Sequence, residues 1–124
     1  MQIIIIDTTG SISDEQLKAG TWFANELMSE MDNRMDIVCT AYCGNFDAQK
    51  VNSLALEDFT KNFRLAYPNC VIDLITDGFL IDTEIAAVDH IYVYENCLPI
   101  HNQWFDKIDF GDKLRGVVPV SIGD

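Results

Sequence analysis

The chain is short of positive charge, of histidine and of long apolar runs, and each shortage removes a class of function. Eight lysines and arginines stand against twenty aspartates and glutamates in 124 residues, a net charge of −12 and a pI near 4.2. Such a field repels nucleic acid and anionic membrane, and it draws metal ions and basic protein surfaces. No apolar run approaches the ~18 residues that a membrane span needs. The N-terminus has no basic region followed by a long apolar one, so we expect no secretory signal. With only His90 and His101, and no Cys-x-x-Cys pair among Cys39, Cys43, Cys70 and Cys97, a Cys/His zinc centre is disfavoured. Cys39 and Cys43 on one strand would lie about 13 Å apart by strand rise, too far for a disulfide. We read the cysteines as buried thiols in a reducing compartment, which points to the cytoplasm. His-Glu-x-x-His, a nucleophile elbow and a phosphate loop are all missing. Asp109-Phe110-Gly111 likewise lacks the companion motifs of a kinase loop.

What the chain does have is an alternation of strand and helix patterns. Ile3-Ile4-Ile5-Ile6 is a continuous apolar run, as in a strand buried on both faces of a parallel sheet; Ile37 to Cys43, Val71 to Thr76 and His90 to Tyr94 read as further, mainly apolar strands. Between the first two, Ser13-Asp14-Glu15-Gln16 is a capping box, with acidic residues in the first turn. Leu17, Ala24, Leu27, Met28 and Met31 follow at helical spacing, which predicts a helix from about residue 14 to 32. Residues 57–66 predict a second helix, with Phe59 and Phe63 on one face and Pro68 as its stop. A short third helix is expected over 83–88, and one helical turn within 103–108. Val51 to Leu56 predicts an antiparallel edge strand, and Val117 to Ile122 an edge strand containing Pro119. The expectation is one domain, residues 1–124, of the α/β class: three layers, doubly wound, with a mainly parallel sheet flanked by helices.

In such a sheet the strands' carboxyl ends share one rim, where open α/β folds place their ligands. Asp7, Thr9 and Ser11 follow the first strand, and Asp77 ends the strand Val71 to Thr76. Alternating oxygens in an Asp-x-Thr-x-Ser loop can face one point, and hard cations bind oxygen. The same residues admit a reading without metal. In it Thr9, Ser11 and Ser13 cap a helix while Asp7 and Asp77 accept backbone N–H bonds at loop ends.

Asp7-Thr8-Thr9-Gly10-Ser11 and Ile75-Thr76-Asp77-Gly78 resemble the two acidic loops of a von Willebrand factor A-like domain, closest to the compact type attached to metallopeptidases. The resemblance covers about residues 2–95. It implies a metal-ion-dependent adhesion site, in which Mg²⁺ or Mn²⁺ is held by Asp7, Thr9, Ser11 and Asp77 and an acidic partner residue completes the shell. The chain departs from the family at Leu54-Ala55-Leu56-Glu57-Asp58-Phe59. The family's middle loop is glycine-rich and carries a threonine; here Glu57 takes the threonine's place. A Glu57 that reached the metal would put three carboxylates around a divalent ion. It would then weaken the ion's attraction for an acidic partner group, because like charges repel.

These features lead us to expect a non-enzymatic protein-binding module docking at the rim through Mg²⁺. The resemblance suggests AAA+ ATPases among its partners. The alternative is an acidic decoy that occupies the basic, nucleic-acid-binding surface of another protein. A metal-dependent hydrolase is the enzymatic alternative, since paired carboxylates can hold a catalytic cation.

Overall fold

The run Ile3 to Ile6 is the centre of the molecule: its four isoleucines are almost wholly removed from solvent. Each contributes about 2–3 kcal/mol of burial. The computed structural model describes residues 1–9, 12–29, 37–43, 54–97 and 111–120. Among these, six strands form one sheet: β1 (Gln2–Asp7), β2 (Ile37–Tyr42), β3 (Leu54–Ala55), β4 (Val71–Thr76), β5 (His90–Tyr94) and β6 (Leu114–Val118). Their spatial order is β3-β2-β1-β4-β5-β6, and every neighbouring pair is parallel.

Three helices flank the sheet: α1 (Asp14–Ser29), α2 (Leu56–Ala66) and α3 (Asp82–Ala87). The connection through α1 steps from β1 to β2, whereas those through α2 and α3 step in the opposite sense, from β3 to β4 and from β4 to β5. Right-handed crossovers therefore place α1 on one face and α2 and α3 together on the other. Side-chain contacts agree: Phe23 of α1 meets Tyr92 of β5 edge-on at 5.1 Å, while the Thr83 hydroxyl of α3 donates to Glu57 of α2 at 2.7 Å. The reversal of winding falls between β1 and β4. Their carboxyl ends open the crevice at which doubly wound sheets bind ligands.

The expected α/β architecture is thus what forms, with one correction. Leu54–Ala55, the described part of the predicted edge strand, pairs parallel with β2, not antiparallel. The two residues lead straight into α2, so they run toward the rim at which that helix begins. β6 does hold the opposite edge, and it starts three residues earlier than Val117, with Pro119 just past its end. Two residue pairs of β5 and β6, Ile91↔Leu114 and Tyr92↔Gly116, bracket a register shift. Arg115 is the extra residue of this bulge. The predicted extension of α1 beyond Ser29, residues 51–53 of the edge strand, the helical turn within 103–108 and residues 121–122 lie outside the described residues. So do Ser11 and His101.

Candidate functional site

The site begins where β1 runs out. Asp7 is the last residue of β1 and is fully buried, and Asp77, just past β4, is nearly so. Asp7 Oδ1 accepts the Thr9 amide at 2.9 Å, a local turn of the kind aspartates favour. The Thr9 hydroxyl donates to the same oxygen and accepts the Cys43 amide at 2.9 Å. This ties the loop after β1 to the end of β2. Thr8 reinforces that tie, its amide donating to the Ala41 carbonyl at 2.7 Å.

Across the crevice, the Thr76 hydroxyl donates to Asp7 Oδ2 at 2.7 Å and lies 3.4 Å from Asp77 Oδ1. One hydroxyl therefore stands between the two carboxylates. Asp77 Oδ1 also accepts the Phe79 amide at 3.1 Å. The turn that allows this uses Gly78 at φ 94°, a left-handed conformation costly for other residues. Its amide donates to Thr76 Oγ1 at 3.2 Å.

Burial raises the Asp7 carboxyl to about 6. The Thr9 and Thr76 hydrogen bonds pull it back only in part, and Asp77 pushes it further up. All three donors to Asp7 are neutral. The Cys43 thiol is pushed up by burial and then by Asp7, Glu84 and Asp77. The Tyr94 phenol is raised by burial and then by Asp7, Asp77 and Cys97. The crevice is thus a buried, negatively charged centre lined by groups that stay neutral.

Its donor set suits a particular kind of ion. Among the described residues no group of three or more histidines, cysteines, aspartates and glutamates gathers that could hold a metal ion of any kind. Two carboxylates, the Thr9 and Thr76 hydroxyls and retained water are, however, what a Mg²⁺ site uses: one or two carboxylates, with the ion keeping several waters. Thr9 Oγ1 and Thr76 Oγ1 each donate once and accept once, which leaves a lone pair on each for a cation. The Tyr94 hydroxyl adds an orphaned polar atom close by. It is buried, with no hydrogen-bond partner among the described residues.

No family model matches the chain, and neither a curated protein nor a solved structure is found similar to it.

Of the residues singled out from sequence, Asp7, Thr9 and Asp77 come together. Glu57 is exposed in the first turn of α2, and its carboxylate accepts the Thr83 hydroxyl of α3 at 2.7 Å. Elements of the metal-free reading are also present. Ser13 and Gln16 form the reciprocal cap of α1, and Asp7 and Asp77 each accept a backbone amide. Thr9 does not serve as a cap; its hydroxyl is turned to Asp7.

Three contributors were not singled out. Thr76 lay inside the second motif, unassigned. Glu84 is buried and accepts the Ile81 amide at 3.0 Å; its signal was an acidic residue three positions past a helix start. Tyr94 read only as a strand aromatic. A separate network occupies the opposite, amino end of the sheet. His90 Nδ1 lies 2.6 Å from Asp73 Oδ1, and Arg115 Nη2 donates to His90 Nε2 at 3.0 Å. Arginine cannot accept, so Nε2 accepts and Nδ1 carries the proton to Asp73. Gln2 donates to the other Asp73 oxygen.

Proposed function

We propose that the chain is a non-catalytic protein-binding module that holds Mg²⁺ or Mn²⁺ at the crevice between β1 and β4 and docks a partner protein on that rim. The observation that carries the reading is Asp7: a carboxylate with no exposure, raised to about 6, with a second buried carboxylate on the far side of one hydroxyl. Such a pair costs the fold energy when ionised, and a bound cation offsets that cost. A buried carboxylate perturbed by desolvation and a nearby charge, at such a crevice, is a candidate for a functional site. Asp7, Thr9 and Asp77 would hold the ion; Ser11 lies outside the described residues, and Glu57 is exposed on α2 with one carboxylate oxygen accepting the Thr83 hydroxyl. The ion would present an open position to an acidic group of the partner.

The surroundings of the crevice suit docking. Leu54, Phe79 and Ile81 are exposed apolar residues near the starts of α2 and α3, interleaved with the exposed carboxylates of Glu57, Asp58 and Asp82. A protein with a mixed basic and apolar face is the class of partner this favours; an AAA+ ATPase is proposed from the family resemblance alone. The four free cysteines support a reducing, cytoplasmic setting. No helix among the described residues is long and apolar enough to cross a membrane.

Calorimetric titration of Mg²⁺ and Mn²⁺ into wild type and Asp7→Ala tests the reading. Saturable binding by wild type, lost in the variant, is expected; heats no larger than dilution from wild type would remove the metal from the account. The acidic-decoy reading draws on the −12 charge. It predicts partner binding that falls steeply with salt and ignores chelator, whereas docking through the ion predicts loss with chelator.

A further inference from the structure

At the amino end of the sheet, opposite the rim, another carboxylate is buried. Asp73 lies within β4 with its side chain 4% exposed, and burial raises its carboxyl. The register sets it beside His90 of β5, whose Nδ1 lies 2.6 Å from Asp73 Oδ1. On the far side of the ring, His90 Nε2 lies 3.0 Å from Arg115 Nη2. Arg115 is exposed and is the extra residue of the β6 bulge. A guanidinium has no acceptor, so this contact exists only while Nε2 is unprotonated. The neutral imidazole thus stands as a spacer between the Arg115 cation and the Asp73 anion.

Proton uptake at Nε2 reverses the arrangement. The imidazolium pairs with Asp73 directly through a charge-assisted hydrogen bond. Its second N–H then faces a guanidinium that can only donate, and two cations so close repel. Among the described residues the other groups on the surrounding elements leave this competition to His90 and Arg115. Gln2 of β1 is neutral and donates to the second Asp73 oxygen. Asp89, just before β5, is paired with Arg64 of α2 at 3.2 Å. Lys113, just before β6, donates to the Ile85 carbonyl of α3 at 2.7 Å. α1 packs on this face through Phe23 and Tyr92, and its last two turns carry one charged residue, the exposed Glu26.

We propose that His90 is a proton switch at the edge of the sheet: neutral, it latches Arg115 and the β6 bulge to β4 and β5; protonated, it takes Asp73 alone and releases Arg115. Histidine is the side chain whose charge ordinarily changes between about pH 5 and 8. β6 is the last strand and pairs only with β5, and losing a tie at such an edge loosens it locally without opening the core. The switch is independent of the rim site.

NMR of wild type and Arg115→Met tests it, with the imidazole nitrogens reporting protonation and amide exchange reporting β6. At pH 8 the wild-type ring should carry its proton on Nδ1. As pH falls through the titration of that ring, protection of the β6 amides, corrected for intrinsic rate, should drop about fivefold, the weight of one hydrogen bond. Protection of β1 and β4 should hold. Arg115→Met removes the charge from an exposed side chain; its β6 should be less protected at pH 8 and show no further drop. A proton on Nε2 at pH 8, or wild-type protection that does not follow the His90 titration, overturns the switch. An equal drop in Arg115→Met overturns it too, because the release would not pass through Arg115.

Discussion

Asp7 concentrates the chemistry of the molecule in one side chain. Its ordinary value is 3.8 and its value in the fold is about 6, so the folded state holds the proton more tightly than the unfolded chain does. The stability this contributes is fully present below pH 3.8 and is lost as pH rises through 6; by pH 7 the ionised group costs up to about 3 kcal/mol relative to an unperturbed aspartate. Other carboxylates titrate in the same range, so the quantity to read is the difference between wild type and Asp7→Asn. Urea denaturation in chelator at pH 4, 5, 6 and 7 should give a difference that shifts in favour of the variant across this series. A difference independent of pH would mean that Asp7 is not held at an elevated value. Asp7 and Asp77 could be read from sequence because each ends an apolar run, a purely local signal. Tyr94 could not. Its place depends on which helix lies over it and which strand lies beside it, and nothing in His90 to Tyr94 encodes that.

Among the elements, those whose signals are local formed as read. The Ser13/Gln16 box begins α1, with the Gln16 amide donating to Ser13 Oγ at 3.1 Å and the Ser13 amide to Gln16 Oε1 at 2.9 Å. Ser13→Ala should lower stability by about 1 kcal/mol, measurable by scanning calorimetry; an unchanged melting temperature would show that the rest of α1 does not depend on this cap. Strands β1, β4 and β5 are likewise bounded by the residues that bound their apolar runs. The edges were harder. The sense of Leu54–Ala55 is set by the need to deliver the chain to the start of α2. The extra residue Arg115 in β6 coincides with its contact to His90. Both are long-range relations that no window of a few residues contains, and bulges of this kind commonly re-aim a side chain.

For the molecule as a whole, six parallel strands and oppositely directed crossovers put the switch of winding between β1 and β4. That switch, and not the motif alone, is what brings Asp7 and Asp77 to one crevice from opposite halves of the fold. A strongly acidic chain that buries two carboxylates behind neutral donors adds to its own self-repulsion, which a cation bound by the folded state alone, as proposed, would offset. The direct test is thermal unfolding of wild type and Asp7→Asn, each in chelator and in saturating Mg²⁺ at pH 7. The predicted result is a crossover. In chelator the variant melts above wild type; Mg²⁺ raises wild type, by about 2.7 kcal/mol at a hundredfold excess over the dissociation constant, and leaves the variant unmoved. Equal responses of the two proteins to Mg²⁺, or none from either, would contradict the claim that Asp7 is kept buried and charged to hold a cation.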